Sequence, residues 1–185
     1  MKKIVLTFGL ISGAIMSVIM LATVPFMDKA GTEHGYVIGY TSMVLAFLLI
    51  YFGVRSYRDN VGGGGVSFGR ALAVGALISL VASSCYVATW EVIYYKLSPN
   101  WIANYQAHEM EKARAAGASA EKLAKKKADL DSFAELYKNP AVNVAFTFLE
   151  PLPVALVMTL VTAGVLGRKK KRLGGDADVL RAQPS

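Results

Sequence analysis

The chain has 185 residues, 54% of them hydrophobic and 18% charged, with a mean hydropathy of +0.41. A soluble domain carries about 25% charge and roughly 45–50% apolar residues, and here the apolar residues fall in long uncharged blocks, which excludes a soluble single-core domain, a disordered chain and a disulfide scaffold. Twenty Lys and Arg against 13 Asp and Glu leave a net charge of +7, a balance that suggests nucleic acid in a soluble protein but reads differently beside a membrane.

The first block, Ile4 to Met27, runs for 24 residues without a charge. About 20 helical residues at roughly 1.5 Å rise cross a hydrocarbon core about 30 Å thick. Lys2 and Lys3 precede the block in the manner of a signal peptide. Its apolar run is longer than the usual 7–15 residues or so, and Leu21-Ala22-Thr23-Val24 offers no small-x-small cleavage site, so it reads as a retained helix. No Cys follows to make a lipoprotein. The second block is Gly35 to Val54, 20 residues long. Arg55, Arg58 and Arg70 then flank a Gly62–Gly65 run, which lacks the Lys-Ser/Thr of a phosphate loop and reads as a flexible connection. Ala71 to Trp90 is another uncharged block of 20, closed by Glu91. The lone Cys85 inside it reads as a small packing residue.

Residues 96–140 differ in composition. Ser98-Pro99 reads as an N-cap and first helical residue, and Gly117 as the stop. Ser119 begins a second helix with Glu121 in its first turn, and Asn139-Pro140 ends it. Leu123, Leu130, Phe133 and Tyr137 form one narrow apolar seam, and Trp101, Ile102, Tyr105 and Met110 lie early in the first helix. The prediction is a helical hairpin over about 99–138 that needs its mate, the bundle or a partner to be stable, because helices of about 18 residues are marginal alone. Lys125, Lys126 and Lys127 are followed at once by Asp129 and Asp131, which argues against nucleic acid.

The fourth block, Pro151 to Gly167, extends backwards through Ala141–Leu149 and is interrupted by Glu150. Arg168, Lys169, Lys170, Lys171 and Arg172 follow as a lipid-facing basic flank, and 173–185 reads as a disordered tail. The predicted fold is an all-α membrane protein with transmembrane helices at about 4–27, 36–54, 71–94 and 146–167 and an extracytoplasmic hairpin between the third and fourth. Residues 1–172 form a single domain. Basic residues near span ends mark the cytoplasmic side. With both termini cytoplasmic, that side holds 11 basic residues against three acidic, and the other side 9 against 8. The net charge is mostly a topology signal.

Lipid is as apolar as Leu, so helices associate where small residues let backbones approach. Gly9, Gly13 and Ser17 recur every four residues in the first span, Ala71, Gly75, Ser79 and Ser83 in the third, and Ala155, Thr159, Ala163 and Gly167 in the fourth. These stripes predict a compact bundle, within one chain or between chains.

Ionisable groups inside a membrane are functional candidates by default. Counted from Arg70 and Arg168, Glu91 and Glu150 both reach the outer boundary rather than the midplane. Trp90, Tyr94, Tyr95 and Trp101 around them read as an interfacial aromatic belt. The two glutamates are either structural carboxylates bonded to Tyr or Trp, or a shared proton, cation or ligand site. On a straight helix Glu150 points about 180° from Thr159, away from the small-residue stripe, although Pro153 can kink that helix. His34 and His108 lack metal-ligand spacing, and no nucleophilic triad or other catalytic, cofactor or metal motif is present in the sequence.

The segments Ile38-Gly39-Tyr40-Thr41-Ser42-Met43, Phe52-Gly53-Val54-Arg55-Ser56-Tyr57-Arg58-Asp59 and Val66-Ser67-Phe68-Gly69-Arg70-Ala71 share a recognisable order with two later ones, Thr89-Trp90-Glu91-Val92-Ile93-Tyr94-Tyr95 and Thr147-Phe148-Leu149-Glu150-Pro151-Leu152-Pro153-Val154. Together they make the chain, over about residues 1–172, resemble the bacterial Domain-of-Unknown-Function 4199 family of small four-helix membrane proteins. The resemblance implies the bacterial cytoplasmic (inner) membrane and supplies no activity, substrate or cofactor. The expected role is a non-enzymatic accessory or interaction component, with the lipid bilayer and a membrane or periplasmic protein, or a second copy, as partners. A small oligomeric transporter or channel with Glu91 and Glu150 at its outer entrance is the alternative.

Overall fold

The computed structural model describes residues 1–26 and 32–167. Lys29, the basic flank Arg168–Arg172 and the tail lie outside them. The described elements are helical: α1 (Lys2–Thr23) with a 3-10 turn at Val24–Phe26, α2 (Thr32–Asn60), α3 (Phe68–Val92) running on as a π-helical turn at Ile93–Leu97, α4 (Trp101–Ala115), α5 (Ala120–Tyr137), α6 (Pro140–Leu149) and α7 (Leu152–Leu166). Four stretches are long and apolar enough to cross a membrane: Lys2–Thr23, Val37–Asn60, Phe68–Leu97 and Pro140–Leu166. Their outward faces carry exposed Leu10, Val18, Leu45, Leu80, Leu156 and Val161. Soluble monomers rarely expose apolar patches beyond about 300–600 Å², so lipid is the natural cover.

The third and fourth spans are longer than the 71–94 and 146–167 of the sequence reading, and in both cases local chemistry explains it. Ser67 is extended, and the helix starts at Phe68, placing Arg70 in its first turn. At the far end the ladder loosens into the π turn instead of stopping. The fourth span begins at Pro140 because Asn139 Oδ1 accepts from Ala141 N at 3.0 Å and proline suits a first turn.

The hairpin starts later than Ser98-Pro99 suggests. Ser98 N donates to Ile93 O, closing the π turn, and α4 begins at Trp101 after Asn100. Its end is local and legible. Gly117 has φ +73°, Gly117 N donates to Arg114 O and Ala118 N to Ala113 O, a Schellman close that favours glycine. Ser119 Oγ accepts from Lys122 N, with Glu121 in the first turn of α5.

In the bundle, α2 and α3 touch each other and both touch α1 and α7, so α1 and α7 flank a central pair. The small-residue stripes do not meet one another in a single seam. Gly9 and Gly13 of α1 face Val81, Ala82 and Cys85 of α3; a Cβ on Gly13 would lie 2.6 Å from Cys85 Cβ. Ser17 is hydrogen-bonded to Thr89 at 2.7 Å, and Ser12 Oγ donates to Ala46 O of α2 at 2.8 Å. The α3 stripe turns to α7 instead: Gly75 admits Thr159, whose hydroxyl is 3.3 Å from that of Ser79. Ser83, Ala155 and Ala163 are buried. These contacts are within the chain.

Candidate functional site

The richest chemistry lies where the hairpin meets the bundle. Tyr86, Trp90 and Ile93 follow at spacings of four and three, occupy one face of α3 and its π turn, and are buried. Tyr137 of α5 reaches that face through Trp90, and α6 packs on α3 with its Asn143 and Thr147 buried; Leu130 and Ala134 of α5 are buried as well.

A ring cluster joins these elements. Trp101 meets Trp90 edge-on with centroids 4.9 Å apart and stacks on Tyr105 at 5.4 Å and 11°. Tyr137 lies 5.4 Å from Tyr94 and 5.1 Å from Phe133, which in turn meets Phe146 of α6 at 5.9 Å. Such pairs contribute about 0.5–1.5 kcal/mol each beyond their buried area. The apolar seam predicted on α5 is therefore used internally through Leu130, Phe133 and Tyr137.

The residues of the expected interfacial belt have unequal surroundings. Trp90 and Trp101 pack inward in this cluster, while Tyr95 remains exposed. Trp90 turns inward because its indole finds a buried partner: Nε1 donates to Tyr137 Oη at 2.9 Å. Tyr137 Oη is 3.4 Å from Thr147 Oγ1, and Thr147 donates to Asn143 Oδ1 at 3.2 Å. Burial pushes the Tyr137 phenol above the usual tyrosine range; its bonds with Thr147 and Trp90 oppose this, and the Glu150 and Glu91 charges add to it.

Glu150 is bonded to a tyrosine, one of the two arrangements expected of it. Straight-helix geometry points it away from the packed face, but Tyr86 Oη donates to Glu150 Oε2 at 2.8 Å. Pro151 and Pro153 remove two N–H donors from the ladder between α6 and α7, yet Asn143, Thr147, Pro151, Ala155 and Thr159 stay buried at a spacing of four, so the packed face runs on through the break. Half-buried Glu150 adjoins that face and is reached by the Tyr86 side chain, while Thr159 meets Ser79 of α3. Glu91 is half-buried, with Oε1 buried and without a hydrogen-bond partner among the described residues.

The structure thus gathers Glu91, Glu150, Trp90 and Tyr94 around one layer. It adds Tyr86, Tyr137, Asn143 and Thr147, to which sequence reasoning assigned no site role. One available signal was Asn143, an amide within the otherwise apolar helix Pro140–Leu149. Chemically the layer offers two carboxylates, three phenols, an indole N–H, a hydroxyl and an amide: hydrogen-bond donors and acceptors, and places to hold a proton.

The profile of one family, described as "Protein of unknown function (DUF4199)", matches residues 7–168. No curated protein and no solved structure matches the chain.

Proposed function

The chain belongs to the DUF4199 family, whose description names no activity, and from that premise we propose a non-enzymatic accessory protein of the bacterial cytoplasmic membrane that acts through its hairpin. In this reading both termini are cytoplasmic, and α4 and α5 stand on the extracytoplasmic side as a platform for a membrane or periplasmic protein. The observation that carries it is the Trp90–Tyr137 hydrogen bond inside the ring cluster. It ties α5 to α3, so the hairpin is held by its apolar side and presents a charged face with Glu111, Lys122, Lys125 and Glu135 exposed. The orientation rests on Lys2, Lys3, Arg55, Arg58 and Arg70, all at the end opposite the hairpin.

In-cell photo-cross-linking from positions 111 and 125, with lipid-facing position 156 as the control, tests the platform. A discrete protein adduct specific to the hairpin positions is the expected result, whereas adducts with lipid and the chain itself alone defeat the reading. A periplasm-dependent reporter fused after Arg172 should be inactive, and activity there would overturn the orientation.

One observation favours a second reading, a small oligomeric transporter or channel with Glu91 and Glu150 at its outer entrance. The Tyr86–Glu150 bond turns a carboxylate of the fourth span towards the third. Proton or cation flux through liposomes should then fall in Glu91→Gln and Glu150→Gln. Unchanged flux, or no flux at all, removes this reading.

A further inference from the structure

Two polar contacts fix the depth of the hairpin's base. Trp90 lies 20 residues beyond Arg70, and Thr147 lies 20 before Gly167. At about 1.5 Å per residue both stand roughly 30 Å from the far end of their spans, at the edge of a hydrocarbon core about 30 Å thick. Tilting the spans would lower both further into that layer. Tyr137 Oη accepts from Trp90 Nε1 at 2.9 Å and is 3.4 Å from Thr147 Oγ1. The last turn of α5 is therefore fastened through its phenol at the rim of the apolar layer, although α5 belongs to the charged hairpin.

The side chains around this point include large apolar groups without cover. Leu136, beside Tyr137, is 57% exposed, and Phe146, beside Thr147, is 46% exposed. Leu136 lies one turn from Phe133, and Phe133 and Tyr137 are the α5 rings that meet Phe146, with centroids 5.9 and 6.5 Å away. Phe146 also heads a longer exposed face. Leu149, Leu152, Leu156 and Leu160 follow it at spacings of three and four along the fourth span, and all are exposed. The face that lipid covers on the span thus runs without interruption into the base of the hairpin. On the other connection, exposed Tyr95, Lys96 and Leu97 lie five to seven residues beyond Trp90, at the level of the headgroups. Tyrosine and lysine suit that level because each joins an apolar body to a polar tip.

We propose that the base of the hairpin is a lipid-binding surface: phospholipid of the leaflet on that side covers Leu136 of α5 and Phe146 of α6 with its acyl chains, and its phosphate layer lies at Tyr95 and Lys96. Water would leave two large apolar side chains bare at the edge of the hydrocarbon. The anchoring expected of Trp90 and Trp101, which pack inward, passes to these residues. The proposal rests on the four spans crossing a bilayer. It holds for either orientation, and with or without a protein on the charged face of the hairpin.

The test is spin labelling of the full chain in lipid nanodiscs, one cysteine at a time in a Cys85→Ala background. Collision is measured with dissolved oxygen, which concentrates in lipid, and with a water-soluble nickel chelate. The oxygen-to-chelate ratio at Leu136→Cys and Phe146→Cys should exceed that at Lys125→Cys severalfold and approach that at Leu156→Cys. A ratio at position 136 equal to that at 125 places the side chain in water and overturns the proposal. Weak collision with both reagents there means that a second copy covers it, and overturns it as well. A benzophenone side chain at position 136, with Cys85 retained, should give a phospholipid adduct in cells; adducts confined to protein would show a protein partner in place of lipid. Chelate access at 156 would remove the spans themselves from the membrane, whereas failure at 136 with 156 in lipid leaves the platform reading untouched.

Discussion

Helix α3 makes two interfaces of opposite kind. Against α1 it is a backbone approach, with Gly9 and Gly13 admitting Val81 and Cys85 so closely that a Cβ on either glycine would fall within 2.8 Å of a side-chain carbon. Against α5 and α6 it is an array of rings threaded by the Trp90–Tyr137–Thr147–Asn143 hydrogen bonds. Helices surrounded by lipid gain little from apolar burial alone, so they associate by close packing or by polar contacts. The chain uses the first where the neighbours are two plain spans. It uses the second where a span must also hold an amphipathic hairpin. The first interface tolerates no added volume, and the second tolerates no lost polar atom.

The largest expected effect comes from adding volume to the close interface. Gly13→Val should destabilise the protein by about 3 kcal/mol in reversible unfolding from mixed micelles. Gly164→Val, at a position with nothing within 4 Å of an added Cβ, should stay within about 0.5 kcal/mol of wild type. Equal effects at the two sites would erase the contrast.

Removing one oxygen from the polar interface comes next. Tyr137→Phe keeps its ring but strands the Trp90 N–H and Thr147, at a cost of about 2 kcal/mol. Trp90 fluorescence should change, and limited proteolysis near Gly117 should accelerate as the hairpin loosens. An unaltered proteolysis rate would mean that rings alone hold it. Tyr86→Phe should cost about 1 kcal/mol, because Glu150 loses a donor but remains half-buried. Unfolding midpoints of single and double variants with Glu150→Gln measure the coupling, and strict additivity would deny it.

The smallest effect belongs to the hairpin's surface charges. Lys126 and Glu109 pair at 2.7 Å between α4 and α5, yet Lys126→Ala should cost less than about 1 kcal/mol and become negligible at high salt. A loss as large as that of Tyr137→Phe would move the hairpin's support from its rings to its ion pairs.

Several parts of this arrangement were legible before any coordinates. Gly117, Ser119 and Asn139 mark helix ends because capping is a matter of a few neighbouring residues, and the i, i+4 glycines of α1 announce a close contact. What they contact was not legible: the α3 stripe suits either partner, and it is α7 that fills it. Trp90 looked like a headgroup anchor because its partner Tyr137 lies 47 positions away. Glu150 is met by the Tyr86 hydroxyl, which lies 64 positions away in the chain. Asn143 and Thr147 acquire meaning only as successive partners beyond Tyr137, which accepts the Trp90 indole N–H.

By itself, the sequence determined that four apolar helices of membrane-crossing length form, where the hairpin between the last two folds back, and that most charge lies outside the spans. Those properties depend on block length, composition and local hydrogen bonding. Tertiary structure decided which faces of α3 meet α1, α7 and the hairpin, and which buried polar atoms find partners. Such choices depend on complementary shape and on donors and acceptors from segments far apart in the chain, so no local stretch encodes them alone.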